Sequence, residues 1–139
     1  MRVVLDTDVV VAGVLSPSGA SRQLLIAAAD RRFELLVSVP LMLEWEAVLK
    51  RAETLQAAKA SLDDMDILLD QLADAGVAVD LHFLWRPRSK DPDDDMVLET
   101  AINGRADVIA TFNVRHLAAA ALYFGVAVER PESLLRRLR

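Results

Sequence analysis

Four carboxylates, Asp91, Asp93, Asp94 and Asp95, fall within five positions of the stretch SKDPDDDMVLETA, and they run straight into Met96, Val97, Leu98, Ala101 and Ile102. Like charges so close repel one another. A helix starting there accounts for one or two of them, because acids suit the positive end of the helix dipole, Asp caps helices and Pro92 suits a first turn. Four acids ask for a further cause, and a divalent cation held by their oxygens would supply one.

Other acids stand where a solvated charge is not expected. Asp6 ends the β-branched run RVVLD with apolar residues on both sides, a costly place for a carboxylate that is neither paired nor metal-bound. On a helix, Leu41, Glu44, Trp45, Val48 and Leu49 follow the i, i+3, i+4, i+7, i+8 spacing, so Glu44 lies along the apolar face and Glu46 points away. Asp95 stands at the start of the helix that precedes the run ADVIAT, which ends at Thr111 with Asn113 two residues beyond. Each acid alone has an ordinary explanation: a cap, a buried salt bridge or a strand-end turn. Asp6, Glu44 and Asp95 together in one small domain point to a shared role. Oxygen ligands without Cys or His suit a hard cation, Mg²⁺ or Mn²⁺, and such ions serve phosphate chemistry.

Composition narrows the field. The chain of 139 residues is 53% hydrophobic and 27% charged, an ordinary balance for one globular domain over residues 1–139. It has no cysteine, hence no disulfide framework and no thiolate zinc site. The formal net charge of −5 argues against a generic nucleic-acid binder, yet it is compatible with an enzyme that meets nucleic acid through bound metal. The opening segment, with two aspartates inside its apolar run, is a poor signal peptide. No apolar stretch approaches the roughly 18 residues of a membrane span. The expectation is a cytoplasmic protein with no membrane partner.

The elements that must position these residues alternate. Strands are expected at RVVLD (2–6), FELLVS (33–38), VAVDL (77–81), ADVIAT (106–111) and VAVE (126–129). TDVVVAGVL is ambiguous by propensity, but Asp6–Thr7–Asp8 could start a helix. Helices are expected over 21–32, from Pro40 through PLMLEWEAVLKR, over LDDMDILLDQLADAG with Gly76 as a stop, over about 92–103, and at PESLLRRLR. RAETLQAAKAS reads as a polar turn. Such alternation implies a parallel sheet covered on both faces, with the site outside the carboxyl ends of the strands. The acids at 6 and 95 and the residues at 111 and 113 fall at strand ends or on helix starts beside them.

These residues carry a resemblance. VVLDTDVVVAG, VPLMLEWEAVL, DPDDDMVLETA and TFNVRHL resemble, in order and spacing over nearly the whole chain, the four motifs of PIN-domain ribonucleases, in the branch of bacterial toxin–antitoxin toxins. The resemblance implies a three-layer α/β/α sandwich with a mostly parallel central sheet, of the flap-endonuclease-like kind. It implies Mg²⁺- or Mn²⁺-dependent cleavage of single-stranded RNA. Asp6, Glu44 and Asp95 would hold the metal, Asn113 would support it, and Asp94 and Asp8 are further candidate ligands. Two positions depart from the family pattern: Asp8 where an Asn is common, and Asn113 where many members have Asp. A family toxin also implies a cognate antitoxin whose segment covers the acidic cleft, and a homodimer.

Substrate contacts are assigned to Thr111, Arg115, Arg86 and Arg88. HFLWRPRSK interleaves Trp85 with Arg86, Arg88 and Lys90, which suits a lip that contacts phosphates and stacks a base; an ordinary loop with an anchoring Trp accounts for it equally well. His116 lies close enough to Asn113 to approach a substrate, though a lone His is more often structural. The helices at 21–32 and 63–75 could supply a partner surface or simply pack the core. Two rivals remain open. LDTDVVV has the D-x-D spacing of haloacid-dehalogenase-like phosphatases, but Val10 stands where that pattern has Thr. The other is a binding module without catalysis, its acids serving only as caps.

Overall fold

Apolar runs without polar relief become the central strands. Val3, Val4 and Leu5 have no exposed surface and make up most of β1 (Arg2–Leu5). Buried Leu35, Leu36 and Val37 make up most of β2 (Glu34–Val37), and Val108, Ile109 and Ala110 form β4 (Val108–Ala110). Burial on both faces is what a parallel sheet under helices demands of its strands. The edge strands β3 (Val77–Ala78) and β5 (Ala127–Glu129) are short and partly covered. The order is β3-β2-β1-β4-β5 and every pairing is parallel. Val3 stands opposite Leu35 on one side and Val108 on the other, and Leu5 stands opposite Ala110. The computed structural model describes residues 1–84 and 92–138; the side chains of residues 92–94 also lie outside the described set.

Each parallel step needs a crossover. Helices α1 (Thr7–Leu15) and α2 (Ala20–Ala29) join β1 to β2. Helices α3 (Val39–Leu49), α4 (Ala52–Ala58) and α5 (Leu62–Ala75) join β2 to β3. Helix α6 (Pro92–Asn103) leads into β4, α7 (Val114–Tyr123) joins β4 to β5, and α8 (Pro131–Leu138) follows. Helices α1 to α5 pack mainly among themselves, and α6 packs on α7 and also meets α3. Right-handed crossovers from a strand order that reverses at β1 put these two groups on opposite faces. The result is an α/β/α sandwich whose sheet changes direction between β1 and β4.

Two expectations need correction. RAETLQAAKAS is not a turn: Ala52–Ala58 forms α4, which Lys59 ends in the left-handed region at φ 54°. Ala, Glu and Gln there are strong helix formers, and buried Thr54 ties the helix to α3 by donating to the Val48 carbonyl at 2.9 Å. Helix α7 was not anticipated from sequence. Its run Ala118–Ala121 gives no hydrophobic contrast, and only Leu117 and Ala121 are fully buried. Gly76 ends α5, but its φ of −71° is ordinary. A Cβ there would stand 2.9 Å from Val37 Cγ2, so close approach to β2 is what requires glycine. Among the described residues, no single helix is long and apolar enough to cross a membrane.

Candidate active site

The sheet reverses between β1 and β4, and the residue after β1 is Asp6. Its backbone N–H donates to the Ala110 carbonyl at 3.0 Å, carrying the β1–β4 ladder one step past the strand. Its side chain then starts α1: Oδ1 accepts from the Thr7 N–H at 2.7 Å. Across the switch point, the Thr111 N–H donates to the Glu129 carbonyl at 3.0 Å, which pins Thr111 to β5. The Thr111 hydroxyl accepts from the Asn113 N–H at 2.9 Å and donates to Asp6 Oδ2 at 2.7 Å. One hydroxyl proton serves one short acceptor, so the 3.4 Å approach of the same oxygen to Asp8 Oδ2 is a contact rather than a second full bond. Asp6 is 7% exposed and Thr111 is fully buried. Both are fixed by backbone pairing before any ligand arrives.

Asp8 stands in the first turn of α1 and faces the loop after β4. Its Oδ2 accepts from the Phe112 N–H at 3.0 Å and from Asn113 Nδ2 at 3.4 Å. Its Oδ1 is buried with no hydrogen-bond partner. Burial pushes the Asp8 carboxyl above its ordinary range, against the opposing pull of the Phe112 and Val9 N–H groups and of the nearby Thr111 and Asp6 side chains.

Glu44 comes from α3. Leu41, Trp45 and Leu49 on that helix are fully buried, and Glu44 on the same stripe is partly buried. Glu46 is exposed and pairs with Lys50 at 3.1 Å. Asp6, Thr7, Asp8, Glu44, Phe112 and Asn113 line one cleft of about 460 Å³ at the carboxyl ends of the strands.

Helix α6 carries two more acids into the interior. Asp95 is 5% exposed and Glu99, one turn on, is 0% exposed. Thr100 anchors this helix beside β2, its hydroxyl 2.7 Å from that of Ser38. Asp95 is not among the described residues that line the cleft with Asp6 and Glu44. Arg115 and His116 are exposed in the first turn of α7. Trp85, Arg86, Arg88, Lys90 and Asp91, together with the side chains of Asp93 and Asp94, lie outside the described residues.

Among the described residues, no three acidic or histidine side chains close into a ready coordination shell. The chemistry of the donors nonetheless fits a hard divalent cation. Three carboxylates, Asp6, Asp8 and Glu44, line one cleft without His or Cys. One buried carboxylate oxygen there, Asp8 Oδ1, has no hydrogen bond to satisfy it, which is the kind of atom a cation would complete.

Sequence reasoning gave little weight to Glu99, whose signal is its place four residues after Asp95. It gave none to Phe112, which acts through its backbone N–H, nor to Arg130, whose guanidinium lies 5.2 Å from the centre of the Phe112 ring. A different hollow, of about 380 Å³, is mainly apolar. Arg22 on its wall is committed to the Gly13 and Val14 carbonyls near the end of α1, and the hollow lies apart from the acids.

A family model described as PIN domain matches residues 2–115, from β1 into the first turn of α7. No curated protein matches the chain.

Proposed function

The chain belongs to the PIN-domain family, whose members are generally nucleases that use divalent metal ions, and from that premise we propose that it is a Mg²⁺- or Mn²⁺-dependent endoribonuclease acting on single-stranded RNA, the toxin of a toxin–antitoxin pair. The observation that carries the reading is the convergence of Asp6, Asp8 and Glu44 on one cleft at the sheet's switch point, with Asp6 held by Thr111.

Asp6, Glu44 and Asp95 would hold the cation, with Asp8 and Asp94 as further candidate ligands and Asn113 in support. When bound, such an ion lowers the pKa of water and neutralises charge on a phosphate. The chain's own residues do the positioning. Thr111 donates to one oxygen of Asp6 and Thr7 to the other, which fixes the plane of the carboxylate. Asp8 holds the Phe112–Asn113 turn as part of the cleft wall. No protein nucleophile is required. A cytoplasmic location, a cognate antitoxin and a homodimer belong to the same proposal.

The phosphatase pattern has no support at its fifth position, because Val10 is fully buried core where a hydroxyl would have to face the cleft. The test is incubation of the purified protein with a panel of structured RNAs in Mg²⁺, in Mn²⁺ and with chelator. Cleavage confined to single-stranded segments, lost with chelator and in Asp6→Asn, is expected. Intact RNA throughout, or full activity in Asp6→Asn, rejects the proposal.

A further inference from the structure

Beside the acidic cleft lies a second cavity of about 310 Å³, lined by Phe112, Asn113, Val114, Arg115, His116 and Arg130. The two share Phe112 and Asn113 as a common wall. Their electrostatic characters are opposite. The acidic cleft presents Asp6, Asp8 and Glu44, whereas the titratable side chains lining the second cavity are two arginines and a histidine. In a chain of net charge −5, that segregation places local positive potential one wall away from the acids.

Three further features favour an anion there. Arg115 and His116 stand in the first turn of α7, where the partial positive charge of a helix start adds to theirs. The Asn113 side chain does not cap that helix but turns to Asp8, so the first N–H groups of α7 donate no hydrogen bond to it. Arg130 comes from the far side of β5, over the Phe112 ring. Its ion pair with Glu132 is long, 3.3 Å, and both partners are about half exposed (55% and 50%), so it competes weakly with a ligand phosphate.

We propose that this cavity is a phosphate subsite for the nucleotide next to the scissile one, with Arg115 and Arg130 gripping the backbone of single-stranded RNA and Phe112 forming the step between the two sites. The inference rests on the nuclease reading of the acidic cleft. It gives an acidic protein a way to hold a polyanion: carboxylates and cation at the reacting phosphate, arginines at its neighbour. Arg115 and Arg130 act on binding, outside the reacting atoms.

The experiment measures affinity of a labelled single-stranded oligoribonucleotide in chelator at several salt concentrations, and steady-state cleavage with Mn²⁺. Arg115→Ala and Arg130→Ala are each expected to weaken binding about tenfold and to raise KM, with kcat within about twofold. Each should reduce the salt slope of log affinity by about 0.7, the share of one phosphate contact on a single strand. Arg130→Lys should keep most of the slope, which separates lost charge from lost packing on Phe112. Replacing the flanking linkage by an uncharged methylphosphonate should weaken the wild type but not the Arg115→Ala/Arg130→Ala double variant. Unchanged affinity and slope in both arginine variants overturn the subsite. So does a loss seen for an acidic peptide but not for RNA. If the wild type binds the oligonucleotide but cuts nothing, the nuclease reading falls while the binding data still judge the subsite. If it binds no RNA, both fall.

Discussion

Asn113 Nδ2 lies 3.4 Å from Asp8 Oδ2, so an amide and a carboxylate face each other on one wall of the acidic cleft. The family pattern commonly has these groups on the other sides, the amide at position 8 and the acid at 113. The geometry makes the two positions neighbours, and a charge absent from one is present at the other. Asn113→Asp would bring two carboxylates together, and in chelator it should lower Tm by repulsion. Asp8→Asn should leave Tm in chelator equal or higher and shrink the rise produced by Mn²⁺. The double variant Asp8→Asn/Asn113→Asp should return the Mn²⁺ response towards wild type. Thermal melts with and without Mn²⁺ check all three. A Mn²⁺ response unchanged by Asp8→Asn would remove Asp8 from the cation's surroundings.

Thr111 joins two strand ends through its hydroxyl. Thr111→Val keeps the shape but removes the donor to Asp6 Oδ2 and the acceptor for the Asn113 N–H. Hydrogen bonds to charged groups contribute about 1.5–3 kcal/mol, so a loss of that order is expected in denaturant unfolding. Thr111→Ser should recover most of it. Equal stabilities for the Val and Ser variants would mean that the hydroxyl does not hold Asp6.

How much of this was readable in the chain depends on what each residue uses to act. The strands β1, β2 and β4 were legible because burial on both faces forces continuous apolar runs, such as Val3–Leu5 and Leu35–Val37. Helix α7 was not, because Leu117 and Ala121 sit in a stretch of small residues with no polar contrast. Helix α4 was hidden because Thr54 alone of its residues is buried, so its sequence shows no apolar stripe. Asp6 and Glu44 drew notice because their charge contradicts their apolar surroundings. The partnership of Asp8 with Phe112 had no such sign, because it runs through a backbone N–H that every residue but proline carries. Arg130 enters from beyond β5, and no spacing along the chain connects it to Phe112.

Position on a helix face separates two glutamates two residues apart. Glu44 lines the cleft, and Glu46 pairs with Lys50 in solvent. Glu44→Gln is expected to cut RNA cleavage at least a hundredfold and Glu46→Gln to leave it within twofold. Stability should move little for Glu46→Gln, since an exposed i,i+4 pair is worth about 0.3–0.5 kcal/mol. Equal losses of activity would show that the two faces of α3 do not play different parts.

Away from the cleft, Asp64 and Ser61 form a reciprocal cap on α5. The Ser61 N–H donates to Asp64 Oδ2 at 2.9 Å, and the Asp64 N–H donates to Ser61 Oγ at 3.1 Å. The hydrogen bond from the Ser61 backbone, with help from its side chain, holds the Asp64 carboxyl below its ordinary 3.8. A carboxyl depressed in the folded state stabilises the fold above its unfolded value and loses that contribution as pH falls through its folded one. Asp64→Asn should therefore be less stable than wild type at pH 7, and the gap should close below about pH 4. Urea unfolding of both proteins from pH 7 to pH 3 measures the gap. A gap independent of pH would assign the cap's effect to neutral hydrogen bonding.

Of the acidic run at residues 91–95, Asp93, Asp94 and Asp95 fall in the first turn of α6, where the Asp95 side chain is buried at 5% exposure one turn before the fully buried Glu99. If the run were only a cap, its members would be nearly interchangeable, each worth at most about 1 kcal/mol. A helix turns about 100° per residue, so neighbouring acids cannot all face the same way. The burial of Asp95 is not that of a capping side chain left in solvent. Asp95→Asn is expected to remove Mn²⁺-induced stabilisation and RNA cleavage, whereas Asp91→Asn and Asp93→Asn should keep most of both. Asp94→Asn should fall between them if Asp94 is a further ligand, and match Asp91→Asn if it faces solvent. Calorimetric Mn²⁺ titration of the four single variants decides the matter. Four similar affinities would return the run to helix capping and remove Asp95 from the ligand set.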